Sequence, residues 1–391
     1  MRIIHAIRRV RFDEGGVVRA ALDMCQLLAS MGHEVELLVF EDRDAEEGWR
    51  RGDPGLPRVV VLPPPNALGR MSEVGLAVAR QRIADADVLH LHGLWRMSTA
   101  QLAQIARDTD VPYVVSLHGM LDQWSMKQAR MKKRIYLSTY GRILLTEATA
   151  IHCTAEAEAT QARAWLPNPC QPLTVIPLAF DDRVYRHLPG PEMAREQFRL
   201  DPLRPTVLFL SRLHPKKRPE AVIEAVRQLQ HQGHRCELLL AGSGESAYVA
   251  HLRALVMASE LNPAPRLLGL VDGDLKRSLY QAADVLALPT SQENFGLVIV
   301  EALACGTPAV TTRGVDIWPE LEHSGAVVLA EPTGDAFSAE IGALLAEPAL
   351  RRSMGEKGRR WVLDYLDPQR VGLAYLDMYT RASKTIAMAP T

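Results

Sequence analysis

The sequence lacks the long apolar runs and the charge excess that identify several classes of protein. No uninterrupted apolar stretch in the 391 residues approaches the ~18 residues that a membrane-spanning helix needs. Arg2, His5, Arg8, Arg9 and Arg11 interrupt the start before the apolar core of a secretory signal can form, so we expect a cytoplasmic protein. A formal net charge of -1 gives no global attraction to nucleic acid.

Cysteine is scarce and scattered. Its count is odd and no C-x-x-C pair occurs, which argues against both a disulfide framework and a thiolate zinc site. We expect reduced, mostly buried thiols at Cys25, Cys153, Cys170, Cys236 and Cys305.

Short apolar runs alternate with helical patterns in the first half of the chain. The residues between the first two runs, 17–30, place apolar side chains at helical spacing, and Gly32 follows them. Such an alternation predicts a mainly parallel sheet with helices on both faces. The predicted strands are RIIHAI, EVELLVF, RVVVL, DVLHLHG, YVVSLHG and AIHCT.

Two proline-rich stretches, LPNPCQP and HLPGPE, flank a strand-like segment at 173–176 and interrupt this rhythm. It restarts after Pro205 with a helix predicted over 220–230 and with the strands TVLFLSR, CELLLAGSG, PRLLGLV, DVLALPT and PAVTT. Because the chain exceeds the size of one growing core, we predict two doubly wound Rossmann-like α/β domains, 1–185 and 186–365, facing a central cleft. Ligands bind such folds at the carboxyl ends of the strands.

Several turns follow predicted strands at this ligand-binding edge. In Glu14-Gly15-Gly16, glycine would let a phosphate approach the backbone N–H groups that open the first helix, although a plain tight turn explains the pair equally well. The turn AGSGE, which contains Gly242, says little by itself.

Two histidines, His92 and His118, each end a predicted strand and precede a glycine. This position directs them toward a ligand, although a lone histidine more often has a structural, hydrogen-bonded role. His90 and His92 share a strand face, but no third and fourth ligand appear at zinc-like spacing, so we expect no metal there.

Two cations follow the first strand of the second half. Arg212 and Lys217 are placed to neutralise a diphosphate, Arg through its planar fork and Lys as a point charge. A solvated basic loop is the alternative, and it explains Lys216 and Arg218 adequately.

The stretch SQENFGLVIVEALACGTP sets two carboxylates around a glycine turn. A helix predicted from Leu297 to Ala304 would aim free N–H groups of Gly296 and Leu297 at an anion. Glu293 and Glu301 would then accept hydrogen bonds from hydroxyl groups on either side of it, as in a nucleotide-sugar. The alternative is a carboxylate that complements the helix dipole and a solvated helix residue.

The same stretch resembles the E-x7-E signature of the large retaining glycosyltransferase family with the GT-B fold, which includes bacterial cell-surface polysaccharide enzymes and glycogen and sucrose synthases. The resemblance extends over most of the chain, through FLSRLHPKKRPE, LLLAGSGE, LLGLVDGDLKRSLYQAADVLALPT and the EGG, LHG and SLHG turns. It implies metal-independent transfer of a hexose from a nucleotide-diphosphate sugar to a glycan or lipid-linked glycan, with no cofactor. It also implies a C-terminal helix within 366–391 that crosses back to the first domain.

Residue roles follow from the resemblance. It implies Glu293 on donor-sugar hydroxyls, Glu301 on the ribose and His118 beside the transferred sugar. The positions implied in catalysis are His118, Arg212, Lys217 and Glu293. Those implied in donor binding are Gly15, Gly16, Arg212, Lys217, Gly242, Leu270, Glu293, Asn294, Phe295, Gly296, Leu297 and Glu301. Acceptor-side candidates are His92, Trp95 and Trp124.

Two departures and one further motif qualify this assignment. Leu178 and Ala179 stand where the family usually has an Asn-Gly turn, and Asn294 stands where many relatives have Gly. Asp272-Gly273-Asp274 spells the D-x-D with which other sugar transferases bind metal. We interpret it instead as a turn in which Asp274 caps the next helix.

The segment 123–146 carries six basic residues and no acid, interleaved with apolar side chains. Three interpretations remain open: contact with an anionic membrane surface, a solvated face, or direct binding of an anionic acceptor. Alternatives to the transferase are a sugar-nucleotide epimerase or hydrolase on the same architecture, or a non-catalytic sugar-nucleotide-binding protein. A Rossmann dehydrogenase is disfavoured because no G-x-G-x-x-G follows the first strand.

Overall fold

The computed structural model describes residues 1–12, 15–166 and 172–387, so that Glu14, Cys170 and most of the proline-rich stretch LPNPCQP lie outside the described residues. The chain divides into two units. The first comprises Met1–Asp181 and Leu366–Thr391, and the second comprises Asp182–Tyr365.

The first unit alternates strands and helices, as its sequence pattern predicts. Its strands are β1 (Arg2–Ala6), β2 (Glu34–Val39), β3 (Arg58–Val61), β4 (Val88–His92), β5 (Tyr113–Ser116), β6 (Ala150–Cys153) and β7 (Leu173–Val175). Its helices before residue 181 are α1 (Gly16–Ser30), α2 (Glu47–Arg51), α3 (Glu73–Ile83), α4 (Met97–Asp108), α5 (Gln123–Lys127), α6 (Arg130–Ser138), α7 (Tyr140–Thr146) and α8 (Glu156–Arg163).

The second unit continues the alternation. Its strands are β8 (Thr206–Leu210), β9 (Glu237–Ala241), β10 (Arg266–Gly269), β11 (Val285–Leu288), β12 (Ala309–Thr311) and β13 (Val327–Leu329). Its helices are α9 (Arg183–Arg186), α10 (Glu192–Phe198), α11 (Pro219–His231), α12 (Ser246–Ala258), α13 (Gly273–Ala282), α14 (Leu297–Ala304), α15 (Trp318–His323), α16 (Gly334–Ala346) and α17 (Pro348–Tyr365). The last helix of the chain, α18 (Pro368–Ala387), belongs to the first unit.

Both sheets are parallel and doubly wound. The first has the order β3-β2-β1-β4-β5-β6-β7 and the second the order β10-β9-β8-β11-β12-β13. In each, the chain first winds away from the starting strand on one side and then returns to build the other side. The order therefore reverses between β1 and β4 and between β8 and β11, where such sheets bind ligands. The predicted pair of doubly wound α/β domains is confirmed.

Helix α1 shows how the apolar spacing produces an element. Val18, Ala21, Cys25 and Leu28 recur every three or four residues and are all buried, so one face of the helix packs on the sheet. Gly32, at φ +86°, takes the left-handed conformation just past the helix end.

Helix α18 covers the first sheet with a second apolar face. Val371, Tyr375, Met378 and Tyr379 are buried in one core cluster together with residues of α1, β1 and β4. Gly372 lies so close to α1 that a Cβ atom there would overlap the sulfur of Met31. The sequence predicted this helix, but not that its tyrosine hydroxyls bond to buried histidines of the strands.

Four of the cysteines, Cys25, Cys153, Cys236 and Cys305, are buried and not disulfide-bonded, as predicted. Burial raises the pKa of Cys236 to about 11 and that of Cys305 to about 12. In the described part of the chain, no helix combines the length and the apolar character that crossing a bilayer requires.

Candidate functional site

The switch point of the second sheet collects most of the charged residues that the sequence singles out. Strand β8 leads into residues 211–217, and its neighbour β11 leads into residues 289–296. Both segments leave the carboxyl edge of the sheet, so the topology brings Arg212 and Lys217 to the same edge as Glu293.

Lys217 ends a short 3₁₀ turn, Pro215–Lys217, and its side chain is buried. The turn begins where Nδ1 of His214 accepts the Lys216 N–H at 3.0 Å. The Lys216 carbonyl in turn accepts the Ser291 N–H at 2.9 Å, which ties this turn to the segment after β11. Across this junction the Lys217 ammonium forms an ion pair with the Glu293 carboxylate.

The buried ammonium of Lys217 is electrostatically poised. Burial, and then the positive charges of Lys216 and Arg212, lower the pKa of Lys217 to about 7. The Glu293 carboxylate, in direct contact, favours the charged form. The lowered pKa brings the charge of Lys217 within reach of neutral pH, and an anion beside it, whether Glu293 or a ligand, favours its ammonium form.

Glycines let the ends of β8 and β9 approach each other. A Cβ at Gly242 would overlap the Ser211 carbonyl oxygen, and a Cβ at Gly244 would overlap that of Leu213. Gly242 has φ +140°, a conformation that side chains disfavour. The turn AGSGE thus supports the backbone that presents Arg212, whose side chain is exposed.

The segment around Glu293 is held by residues that the sequence analysis missed. The Glu293 N–H donates to the Gly314 carbonyl at 2.7 Å, and the Asp316 N–H donates to the Glu293 carbonyl at 2.9 Å. The buried Asp316 carboxylate accepts side-chain amide N–H groups from Gln292 and Asn294, each at 3.4 Å. An acid inside the apolar run VDIW was the available signal for this role.

Gly296 turns the chain into helix α14, which spans the predicted residues Leu297–Ala304. Its φ of +73° is left-handed, and a Cβ there would press on Val315 at 3.0 Å. Phe295 is buried beneath the turn. No side chain among the described residues caps this helix, and the Ile299 N–H donates to the Gly296 carbonyl at 2.8 Å, so the N–H groups of Leu297 and Val298 remain available to an anion.

Glu301 lies one turn into α14 and is half-buried, so it is not the solvated residue of the alternative interpretation. Lys276 donates to one of its carboxylate oxygens at 2.8 Å, and the Tyr280 hydroxyl donates to the other at 2.9 Å. Two donors therefore fix the orientation of the carboxylate. Leu270, another predicted donor contact, has 73% of its surface exposed.

The interpretation of Asp272-Gly273-Asp274 was partly wrong. Helix α13 begins at Gly273, so Asp272 is the residue that precedes it, and its side chain makes no capping hydrogen bond. Asp274 is inside the first turn, where it pairs with Arg277 at 2.5 Å. The motif is a helix start, but Asp274 does not cap it.

In the first unit, Gly15 and Gly16 open helix α1. Gly15 has φ 96°, and no side-chain hydrogen bond caps the helix. A Cβ at Gly16 would meet no atom of the described residues within 4 Å. The start of α1 is a helix N-terminus, a type of site whose backbone N–H groups favour anions.

His118 follows β5 in a strained turn. Its φ of 50° is left-handed, which is uncommon outside glycine and clusters at functional sites. The next N–H, of Gly119, donates to the buried carboxylate of Glu158, which also accepts the Thr154 N–H at 2.6 Å. Glu158 therefore anchors the turns after β5 and β6, a role that its place in the pattern of α8 did not reveal.

His118 is the outer member of a chain of three hydrogen-bonded imidazoles. Its Nε2 lies 3.0 Å from Nδ1 of His92, whose Nε2 lies 2.9 Å from Nδ1 of His5. His92 was expected on the acceptor side, but it is buried and both of its nitrogens are engaged. It reaches a ligand only through His118.

A second buried network lies beside this chain. His90 bonds through Nδ1 with the Tyr379 hydroxyl and through Nε2 with the Ser116 hydroxyl, each at 2.6 Å. Ser116 continues at 2.6 Å to Nδ1 of His152, whose Nε2 lies 2.8 Å from the Ile176 carbonyl oxygen and 3.3 Å from the Tyr375 hydroxyl.

The histidine cluster corrects one expectation about metal. His5 supplies the third imidazole that the sequence appeared to lack, and ring nitrogens of His5, His90 and His92 lie within 4.8 Å of one another. However, both nitrogens of His90 and both of His92 already take part in hydrogen bonds. The rings of His90 and His92 are also stacked at 15° rather than converging on a point. The cluster fits a hydrogen-bond network better than a metal site.

These histidines are neutral. Burial lowers the pKa of His5 and of His118 to about 3 and that of His152 to about 4, and the pKa values of His90 and His92 also fall well below the ordinary value. The strand ends of the first unit thus present uncharged imidazole at neutral pH.

The two tryptophan candidates lie near helices α5 and α6. Trp95 is half-buried, with the Lys133 ammonium 4.9 Å from its ring centroid and the Tyr136 ring edge-on at 5.7 Å. Much of its surface is therefore occupied by α6. Trp124 is half-buried on α5.

The chain matches two family descriptions. "Glycosyl transferases group 1" matches residues 192–361, and "Glycosyl transferase 4-like domain" matches residues 15–179. The chain belongs to the GT-B glycosyltransferases. The suspected resemblance is confirmed at this level, and the family favours sugar transfer over the dehydrogenase and epimerase alternatives.

Relatives of this glycosyltransferase carry a more specific name. The D-inositol 3-phosphate glycosyltransferase of Xylanimonas cellulosilytica is 28% identical over 397 residues, which cover 95% of this chain and 93% of the relative. The Segniliparus rotundus protein of the same name is 29% identical over 221 residues, 55% of this chain and 48% of that protein. The crystal structure of HepE from Anabaena in complex with UDP and glucose superposes with a TM-score of 0.79 at 19% identity, covering 97% of this chain and 99% of HepE.

Proposed function

We propose that this glycosyltransferase moves a hexose, with retention of anomeric configuration and without a metal, from a nucleotide-diphosphate sugar to a glycan or lipid-linked glycan of a cell-surface polysaccharide. The support is one arrangement at the switch point of the second sheet. Lys217, buried and near its titration point, contacts Glu293 there, beside the uncapped start of α14.

The charges at this edge suit a departing nucleotide. When the bond from the sugar C1 to the diphosphate oxygen breaks, negative charge develops on the phosphate, and Arg212, Lys217 and the N–H groups of α14 would stabilise it. Preorganised donors of this kind are among the largest contributions to catalysis. In the same step the acceptor oxygen bonds to C1 from the face that the phosphate leaves, and the acceptor proton passes to that phosphate oxygen. In this proposal, positive groups of the protein neutralise the charge of the departing phosphate, which a metal ion does in other sugar transferases.

The two carboxylates would fix the donor on either side of the diphosphate. Glu293 would accept hydrogen bonds from sugar hydroxyls while it stays paired with Lys217. Glu301 would accept them from the ribose, in the orientation that Lys276 and Tyr280 impose. The neutral imidazole of His118 would form a hydrogen bond with the transferred sugar. HepE, of the same fold, has been crystallised with UDP and with UDP-glucose.

The donor is tested first by thermal shift against uridine, guanosine and adenosine diphosphates and their hexose derivatives. At 100 times its dissociation constant, a ligand adds about 2.7 kcal/mol of stability. We expect one nucleotide family to raise the Tm of the wild type and to lose that effect in Glu301→Ala. If no candidate shifts the Tm, the proposed donor class is wrong. Proton NMR of the first product then reports whether the anomeric configuration is retained.

An anionic polyol is a second candidate acceptor. Relatives at 25–29% identity are named for transfer to D-inositol 3-phosphate, and the segment 123–146 offers cations for a phosphate. Transfer to inositol 3-phosphate, assayed beside neutral sugars and lipid-linked glycans, separates the two candidates. A single-turnover assay without acceptor separates transfer from hydrolysis or epimerisation.

The same basic segment supports a further proposal, peripheral binding to an anionic membrane on the cytoplasmic side. On α6 and α7, Met131 is 76%, Ile135 59% and Ile143 50% exposed, and Lys132 and Arg134 are exposed among them. Such a mixture of apolar and basic side chains suits the surface of an anionic bilayer.

Cosedimentation with vesicles of phosphatidylglycerol tests this surface. The variant Lys132→Glu with Arg134→Glu spares Lys133, which donates to the Ser125 carbonyl at 2.7 Å. We expect it to lose binding, while a control with Arg352→Glu and Lys357→Glu, both exposed on α17, keeps it. Equal binding by both variants would remove the membrane proposal but leave the transferase unaffected.

A further inference from the structure

The three-imidazole chain has one open end and one closed end. Among the residues that the structure describes, none hydrogen-bonds with Nδ1 of His118, whose Nε2 is taken by His92. At the inner end, Nε2 of His5 is fully buried and has no partner within the same described residues. A ligand can therefore reach the chain only through Nδ1 of His118.

Each hydrogen bond in the chain carries one proton, so the tautomers of the three rings are linked. Neutral imidazole has one N–H and one lone pair. If His5 holds its proton on Nδ1, it donates to His92, which must then donate through its own Nδ1 to His118. If His5 holds its proton on Nε2, the other two rings must also hold theirs on Nε2. Inverting one ring alone would set two N–H groups, or two lone pairs, against each other.

The closed end selects between these two arrangements. One of them buries an N–H of His5 without an acceptor, and the other buries only a lone pair. Orphaned buried N–H groups are the rarer of the two in native proteins. We therefore expect a lone pair on Nε2 of His5, at the inner end of the three-imidazole chain. Each of the three rings then carries its proton on Nδ1.

We propose that His92 and His5 are positioning residues that lock His118 in the tautomer with its proton on Nδ1, so that His118 acts toward the bound ligand as a hydrogen-bond donor. This inference rests on the proposed function, in which that ligand is the donor sugar and the accepting atom is one of its oxygens. Burial of the chain supports it, since the lowered pKa of His118 keeps the ring neutral and excludes a second proton at neutral pH.

Nitrogen-15 NMR of the histidine-labelled full-length protein tests the tautomer without any substrate. The His118 signals are assigned by their loss in His118→Asn. We expect wild-type His118 to show a protonated Nδ1 and an unprotonated Nε2, and to average toward the mixture of a free imidazole in His92→Phe. Tyr379→Phe is the matched control, because it removes a buried hydrogen bond from the neighbouring network and should leave His118 unchanged.

Kinetics supply the second measurement. We expect His92→Phe to lower kcat by about three- to tenfold, the effect of one hydrogen bond, with nucleotide diphosphate affinity unchanged. Should His92→Phe fail to fold, the wild-type spectrum and His5→Leu decide. Protonation of His118 on Nε2, or an unchanged ring in the folded His92→Phe protein, would overturn the inference. Failure of the donor class itself appears separately, as absent nucleotide binding by wild type.

Discussion

The two sheets share a strand order but differ in the chemistry at their carboxyl edges. At the second edge, formal charges dominate, with Lys217 paired to Glu293 and Lys276 paired to Glu301. At the first, histidines are neutral and joined to hydroxyl groups and to one another. One fold therefore carries a charge-compensating surface in one unit and an uncharged, hydrogen-bonding surface in the other.

The two surfaces are supported in different ways. A buried ammonium needs a carboxylate nearby, and the segment carrying Glu293 is accordingly fixed by Asp316. Neutral imidazoles need only matched donors and acceptors, so they stack on adjacent strands, with α18 adding the Tyr379 hydroxyl. Charge suits a diphosphate, whereas oriented neutral groups suit sugar hydroxyls.

The largest effect is expected at Lys217. Lys217→Ala removes a preorganised cation beside the proposed leaving group, and should lower kcat by about 10²–10³. Steady-state transfer assays measure it. Lys216→Ala, one position away and only half-buried, should change kcat by less than about threefold. Equal losses in the two variants would show that general basicity, rather than the buried cation, matters.

Donor affinity should depend on pH through the charged edge alone. In the protein without ligand, Lys217 has a pKa of about 7. Because a bound diphosphate favours the ammonium form, the protein takes up a proton when it binds the donor above pH 7. Affinity for a nucleotide-sugar should be constant below that pH and fall by up to about tenfold per pH unit above it. Calorimetry from pH 6 to 8.5 measures this slope.

Lys217→Arg is the control for that slope. An arginine stays charged throughout this range, so its curve should be flat. His118 and His152 of the first sheet, with pKa values of about 3 and about 4, do not change charge in this range and add nothing to the slope. A slope that persists in Lys217→Arg would place the titrating group elsewhere.

Much of this architecture is readable from the sequence, because local patterns determine it. Helix α14 has its predicted bounds, since Gly296 and the Gly306-Thr307-Pro308 stretch punctuate it. Strand β13 was missed because Val327–Leu329 offers only three residues before an acidic, proline-containing turn. The start of helix α13 was mistaken by two residues: a cap at Asp274 would start the helix at Leu275, but it starts at Gly273.

The supporting residues of both edges were not readable, because register and topology bring them together. His5 is 85 positions before His90 in sequence but its register partner in the sheet. Tyr379 reaches the same cluster from α18, and Glu158 reaches the His118 turn from α8. No local spacing encodes such contacts. The sequence therefore indicated candidate site residues such as Lys217, Glu293 and His118, but not the residues that hold them in place.

The buried histidine network at the first edge should make an intermediate contribution to the stability of its unit. Tyr379→Phe leaves Nδ1 of His90 buried without a partner, which should cost about 1–3 kcal/mol of the free energy of unfolding. Urea denaturation measures it. Tyr140→Phe, at an exposed position, should stay within about 0.5 kcal/mol of wild type. A neutral Tyr379→Phe would mean that the histidine network does not depend on α18.

The smallest effect is expected from removing Asp274, one carboxylate of the D-x-D motif in the second unit. Asp274 is largely exposed, and Asp274→Asn loses only its first-turn contact with Arg277. Its kcat should stay within about twofold of wild type, as for most surface substitutions, and a chelator should leave both proteins equally active. If transfer instead required a divalent cation and fell with Asp274→Asn, the fixed cations of the second edge would not be sufficient. The contrast between a charged and a neutral edge would then have to include a metal.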